Sequence, residues 1–330
     1  MMFMVHNNTV NKIKISIINL PKASSLLIQR NIITVEVKSK NLGPVIWLIA
    51  GSHGDEIGSV VVLQEIIRKL RKNPLLKGTV IAIPVVNPSG FESGKREFEL
   101  TGEDINRSYP GNINGKLAER LAYKVFQTIL QSNPTLVLDL HNDWRKSIPY
   151  TLVDTPLIKN TWLKSQLAEY AGKLGFVTVA EKYEAALQKT LTGNLILNDI
   201  PALSVELGES YIVNEVNVEY GIKSIWNILA HLEMVNPPQE NFRYPLPECF
   251  RNKILFYDDE PASQTLGIIR FNVKPGVQLT RDQIIAKIYD VLGNLKETVR
   301  SPKNGILLGY SDSSAVYPGS KNFAFAFTED

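Results

Sequence analysis

The chain is short of the residue types that build the simplest redox and thiolate sites. It has one cysteine, Cys249, in 330 residues, which excludes an internal disulfide and any cysteine-rich metal cage and suits a reducing compartment. Histidine is scarce too, at four residues. Neither sign of charge dominates: 36 Lys plus Arg stand against 33 Asp plus Glu, a formal net charge of +3, and the charges are spread without a phosphate-tracking stripe. Nucleic acid is therefore not an expected partner. No apolar run approaches the roughly 18 residues that a membrane span needs. The opening stretch MMFMVHNNTVNKIKI lacks the charged start, long apolar core and small-residue cleavage site of a secretory signal. The expectation is a soluble, cytoplasmic protein with no membrane partner.

What is present is an ordinary globular composition, 44% hydrophobic, enough for one large domain or two smaller ones. The short β-branched runs IITVEV, PVIWLIAG and GTVIAIPVV flank one amphipathic stretch, IGSVVVLQEIIRKLRKNP. This reads as strand, strand, helix, strand, with parallel pairing across a helical crossover. A long aperiodic segment, NPSGFESGKREFELTGEDINRSYPGN, follows, and a loop of that length in a compact domain is usually functional. Strands and helices then alternate as far as LAHLEMV, predicting a mostly parallel sheet with flanking helices. The proline-rich stretch NPPQENFRYPLPE reads as a linker. Beyond it, GIIRF, IIAKIYDVLG, KETVRS, NGILLGY and FAFAF predict a small antiparallel barrel or sandwich. The domains expected are therefore residues 1–240, α/β, and residues 241–330, β-rich.

Ligands of open α/β sheets collect beyond the carboxyl ends of the strands. Three such positions carry candidate chemistry: His53, Asp55 and Glu56 after VIWLIAG; His141 after LVLDL; and Glu206 and Glu209 around PALSVELGE. Two imidazoles and one carboxylate, from His53, Glu56 and His141, suit a catalytic zinc that keeps one position for water. Taken singly, His53 fits a helix entry, with Ser52 or Asp55 as cap and Gly54 and Gly58 easing the turn. His141 alone fits a satisfied polar residue at a strand end. Glu206, on an apolar run, is costly there unless it is paired or faces a cleft, and it competes with Glu209 for the role of general base. Asn106 and Arg107, in GEDINRSYPG, offer a planar fork to a carboxylate; the plainer alternative is a loop with Asp104 paired to Arg107. Lys95 and Arg96 could add positive charge near an anionic substrate, although a solvated loop face fits Lys95 better.

In order, HGDE, DINRSYPG, DLH and VELGE resemble the succinylglutamate desuccinylase/aspartoacylase family of the zinc carboxypeptidase clan. The resemblance covers about two-thirds of the chain. It implies a carboxypeptidase-like α/β fold with one zinc ion per chain on His53, Glu56 and His141, and Glu206 rather than Glu209 as general base and proton shuttle. It also implies Asn106 and Arg107 as the holders of the substrate carboxylate, and Arg96 as the arginine that polarises the scissile carbonyl. The implied partner is a small N-acylated amino acid, and homo-oligomers are compatible with the reading. The β-rich tail is similar to lipoyl-carrier-like barrels, but the carrier-lysine context is missing around Lys303, so it is expected to shape or cover the cleft. Where the family often has Thr or Ser after DLH, this chain has Asn142, Asp143 and Trp144, so the rim that selects the substrate is expected to differ. The function expected is metal-assisted hydrolysis of an N-acyl amino acid. A carboxypeptidase and a non-catalytic binding protein are the alternatives.

Overall fold

The computed structural model describes residues 12–18, 32–182, 184–251 and 253–328; His6 and the opening segment lie outside them. Three strands, β1 (Lys12–Ile18), β2 (Ile32–Lys38) and β3 (Val45–Ile49), lead into helix α1 (Ile57–Lys72) and strand β4 (Thr79–Ile83). The long loop holds the short helix α2 (Pro88–Ser93) and a 3-10 turn at Ile105–Arg107, then gives way to α3 (Leu117–Gln131) and β5 (Leu136–Asp143). Next come β6 (Lys146–Ser147), β7 (Pro149–Val153), α4 (Thr161–Leu174), β8 (Val177–Ala180), α5 (Leu191–Leu197), β9 (Ala202–Glu209) and α6 (Glu215–His231).

At the heart of the sheet, β4, β3, β5 and β9 run parallel. Their residues form continuous apolar runs because both faces are covered: Ile46, Leu48, Leu136, Leu138, Leu203 and Val205 are fully buried. The expectation of parallel strands around a crossover helix therefore holds for β3 and β4. The preceding strand does not follow it, since β2 pairs antiparallel to β4 and carries β1 at the sheet edge. On the other side, β7 is antiparallel to β9, which makes the sheet mixed.

The tail contributes β10 (Ile254–Asp258), β11 (Gly267–Phe271), β12 (Gln278–Leu279), β13 (Ile284–Tyr289), β14 (Leu295–Arg300), β15 (Gly305–Tyr310), β16 (Ala315–Val316) and β17 (Phe323–Phe327). Four of these form a separate antiparallel sheet in the order β14-β13-β11-β16. It buries Ile269, Ile285 and Ile288 against Phe323, Phe325 and Phe327. The others extend the central sheet, because β10 pairs with β8, β17 with β10 and β15 with β17. Strand β15 also pairs with β6, through Gly309 and Ser147, and Ile148 donates its N–H to the Leu308 carbonyl at 2.8 Å. Since β6 runs directly into β7, strands β7, β8, β10, β17 and β15 close a ring. Its interior is an apolar cluster that includes Ile148, Tyr150, Val179, Leu255, Leu308 and Ala326. Hydrogen bonding thus crosses the linker, and the ring is built by residues from both sides of it.

Candidate metal centre

The loop between β3 and α1 owes its shape to close packing. A Cβ at Gly54 would lie 1.8 Å from the Gly90 carbonyl carbon of α2, so only glycine lets the two backbones meet. This contact sets His53 beneath the long loop. Neither Ser52 nor Asp55 caps α1, as the sequence suggested. The first-turn N–H of Ser59 is instead met at 2.7 Å by the Asn142 side-chain oxygen, and a Cβ at Gly58 would sit 2.7 Å from the Asn142 nitrogen. That nitrogen donates to the Gly208 and Glu209 carbonyls of β9 at 3.3 and 3.2 Å. Asn142 therefore ties together the elements that carry Glu56, His141 and Glu206. Sequence reasoning missed this role, because the bond spans distant segments and a lone Asn after a His carries no local signal.

His53, Glu56 and His141 converge, with ligand atoms within 4.8 Å of one another, and all three side chains are buried. The Glu56 carboxylate lies between the rings, 2.6 Å from His53 Nδ1 and 2.8 Å from His141 Nδ1. Each imidazole turns its other nitrogen to a further carboxylate. His53 Nε2 is 3.3 Å from Asp104. His141 Nε2 is 3.0 Å from Asp139, an ion contact not aligned as a hydrogen bond, which leaves both Asp139 oxygens without a hydrogen-bond partner. A carboxylate behind each histidine fixes ring orientation and raises ligand basicity at metal sites. Burial opposes charge on His53 and His141, yet the neighbouring carboxylates raise both above the ordinary histidine value. Glu56 is held well below the usual carboxylate range, the two imidazoles outweighing its burial.

Arg96 comes from the long loop. Its Nε and one terminal nitrogen bind Asp104 at 3.2 and 3.1 Å. Its other terminal nitrogen reaches to 3.2 Å from His53 Nδ1 and 3.7 Å from Glu56. Asp104 thus pairs with Arg96 and not, as the plainer alternative had it, with Arg107. Asn106 is buried and already engaged: its oxygen accepts the Leu191 N–H at 2.9 Å, and its amide nitrogen lies 3.4 Å from His141 Nε2. Arg107 is exposed, with its guanidinium donating to the Asn106 carbonyl at 2.8 Å.

On the strand side, Glu206 is the register partner of His141 across β5–β9 and of Tyr150 across β7–β9. Its Oε2 is sealed from solvent without a hydrogen-bond partner. Burial pushes its carboxyl well above the usual range, with Asp143 and Glu56 adding to the rise. Glu209 is differently placed, accepting from Asn214 at 2.7 Å and lying 3.6 Å from Lys146. Asp143, which the sequence reading noted only as a departure, accepts the Tyr150 hydroxyl at 2.9 Å. Burial pushes it up to about 6. Asp55 supports the loop, its backbone carbonyl accepting the Tyr211 N–H at 2.8 Å.

With this geometry in place, comparison with known proteins gives a consistent picture. A curated N-alpha-acetyl-L-2,4-diaminobutyric acid deacetylase of Halomonas elongata is 24% identical over 299 residues, covering 88% of this chain and 82% of the relative. The crystal structure of a succinylglutamate desuccinylase/aspartoacylase from Rhodobacter sphaeroides superposes with a TM-score of 0.79 at 20% identity, over 99% of this chain and 98% of the other. A metallo-carboxypeptidase from Burkholderia cenocepacia shares the fold over 67% of this chain and 65% of its own, with a TM-score of 0.55 at 15% identity. The sequence profile of the Succinylglutamate desuccinylase/Aspartoacylase catalytic domain matches residues 42–232, a span that holds His53, Glu56, Arg96, Asn106, Arg107, His141 and Glu206. More than half of the chain lies within that match, and the protein belongs to the succinylglutamate desuccinylase/aspartoacylase family.

Proposed function

We propose that this chain is a zinc-dependent deacylase that hydrolyses the amide bond of a small N-acyl amino acid to a carboxylate and a free amine. The observation that carries the reading is the convergence of His53, Glu56 and His141 beside Glu206, whose buried Oε2 has no partner. Two imidazole nitrogens and one carboxylate are a donor set for borderline-soft zinc that leaves a position open. The carboxylates behind both rings fit that use. One zinc ion held there would supply Lewis acidity toward a water and toward the amide carbonyl.

The chain's own residues supply the rest. Glu206 accepts a proton from the attacking water and returns it to the leaving nitrogen, a two-way role suited to a carboxyl whose proton affinity burial has raised. The Arg96 nitrogen that faces His53 and Glu56 stabilises the developing oxyanion, while Asp104 holds the rest of the guanidinium still. Arg107, exposed at the rim, binds the substrate carboxylate and so orients the scissile bond. Asn106 contributes to this subsite mainly by position, since its side chain is engaged with Leu191 and His141. Residues 1–240 carry this chemistry, and residues 241–330 wall the cleft through β15. The Halomonas relative acts, by its name, on an N-acetylated diamino acid, which supports N-acyl amino acids as the substrate class.

A hydrolysis screen with zinc-loaded protein tests the reading. Release of free amine is expected from N-acetyl or N-succinyl amino acids, together with loss of turnover on chelation and recovery with zinc. Cleavage of unmodified dipeptides alone would make the protein a carboxypeptidase. Full activity in metal-free protein would sink the zinc mechanism.

A further inference from the structure

We propose that the cavity enclosed by α4, α6 and the proline-rich segment after α6 binds an aromatic carboxylate, at a site separate from the metal centre. The cavity holds about 650 Å³, within the range of small-molecule sites. It lies on the opposite face of the sheet from the metal centre. Leu207 of β9 points toward α6, where a Cβ at Gly221 would come within 2.9 Å of its side chain. Successive residues of a strand face opposite sides, so the neighbouring Glu206 points away from α6 and from this cavity.

The stretch NPPQENFRYPLPE, residues 236–248, reads as a linker, yet it is fixed in place as one wall. Asn227 of α6 grips the backbone of Phe242, donating to its carbonyl at 2.9 Å and accepting its N–H at 3.1 Å. The Tyr244 N–H donates to the Gly175 carbonyl, at the end of α4, at 2.8 Å. At Gly175 φ is +79°, and a Cβ there would lie 2.4 Å from the Phe242 carbonyl oxygen, so only glycine lets the segment lie against the helix end. These anchors bring the rings of Phe242 and Tyr244 to 5.4 and 6.0 Å from that of Phe176. Phe250 and Ile254 continue the apolar lining. The α4 side is open, since a Cβ at Gly172 would meet nothing within 4 Å.

The charge of the lining is one-sided. Lys173, Arg243, Arg251 and Lys253 stand exposed around the cavity. Among the described residues only Arg251 of these has an acidic partner, Glu248. Glu169, the one acid in the lining, is already paired with His231 at 3.1 Å. Three cations therefore border the cavity without an anion from the described residues. Deeper in, Thr178 of β8 is only 7% exposed, and its hydroxyl has no hydrogen bond among the described residues. A buried hydroxyl without a partner is costly, and an acceptor brought by a ligand removes that cost. A carboxylate supplies both the acceptor and the missing anion, and Arg243 offers it a planar fork. An aromatic ring attached to the carboxylate covers the apolar lining. Solvated surface cations over an incidental groove would instead hold acetate as well as they hold an aromatic acid.

Calorimetric titration of the zinc-loaded protein with 1-naphthoate, the neutral 1-naphthalenemethanol and acetate tests the site. One naphthoate is expected to bind per chain, about tenfold or more tightly than either of the others. Gly172→Phe fills the cavity from an exposed helical position where glycine is a poor helix former, and it should abolish this binding. Arg243→Glu combined with Lys253→Glu should weaken it by about tenfold or more; if Gly172→Phe fails to fold, the charge reversal at these exposed positions decides alone. A carboxylate drawn to the metal centre would keep its affinity in both variants and lose it when EDTA removes the metal. That result overturns the proposal, as does the absence of saturable naphthoate binding, or binding of the neutral analogue or of acetate as tight as that of naphthoate. None of these outcomes alters the deacylase reading.

Discussion

The two walls of the candidate metal centre meet their charges in different ways. On the loop wall the charged groups nearest the centre have opposite numbers: His53 lies between Glu56 and Asp104, and Asp104 between His53 and Arg96. On the strand wall, carboxylates outnumber their partners. Among the described residues Asp139 has no hydrogen bond, Glu206 has one sealed and unpartnered oxygen, and Asp143, held by the Tyr150 hydroxyl, has no ion pair. The first wall is arranged as a rigid holder, with charge-assisted bonds that need nothing from outside. The second keeps unmet acceptors in a low-dielectric environment, where they favour whatever proton or cation arrives. On the proposed reading, holding and reacting are thus separated in space, although His141 belongs to both.

Breaking each wall in turn should give opposite pairings of metal content and turnover. His141→Ala is expected to lose bound zinc and all measurable hydrolysis. Glu206→Gln should keep zinc at wild-type stoichiometry while kcat falls by about a hundredfold to ten-thousandfold. Elemental analysis alongside steady-state kinetics separates the two, and near-normal turnover in Glu206→Gln would remove it as the base. A smaller effect is expected where the walls are tied together. Asn142→Ala strips the cap from α1 and should cost about 1–2 kcal/mol in chemical denaturation, with weaker zinc retention because Glu56 immediately precedes that helix. Unchanged stability would show that Asn142 does not hold the elements in register.

The smallest effect concerns a strand-side acid away from the metal. Burial, with Asp154 nearby, pushes Glu181 up to about 7 from an ordinary 4.5. The folded state therefore binds more protons than the unfolded state between those values, and wild-type stability should fall as pH rises from 4.5 to 7 and level off above. Glu181→Gln removes this contribution. The variant should melt higher than wild type at pH 8, with the gap closing below pH 4.5. A gap of the same size at both pH values would mean that Glu181 is not strained by ionisation, and the contrast between the walls would then be confined to the metal site.

Much of this architecture was readable because it is local. Continuous apolar runs such as VIWLI and LVLDL mark strands buried on both faces, and the 3.6-residue rhythm of IGSVVVLQEIIRKL marks the helix between them. The scarcity of histidine made His53 and His141 conspicuous. By contrast, the antiparallel entry of β2, the closure of the ring by β15 and β6, and the role of Asn142 were not readable. Each depends on which distant backbone groups satisfy one another, and the period of side chains in a segment does not say which segment lies beside it.

The residues of GSHGDEIG, DLH and VELGE determined by themselves which chemical groups stand at the strand ends: two imidazoles, a carboxylate three residues after the first of them and a second carboxylate on an apolar run. Only the tertiary structure decided how those groups face. Parallel register between β5 and β9 sets Glu206 beside His141, and the close backbone contact of Gly54 with Gly90 turns His53 toward Glu56. It also left Asp143 without a cation while pairing Glu209. That choice cannot be read along the chain, because the basic residues that could have neutralised either acid are distributed by the closing of the ring.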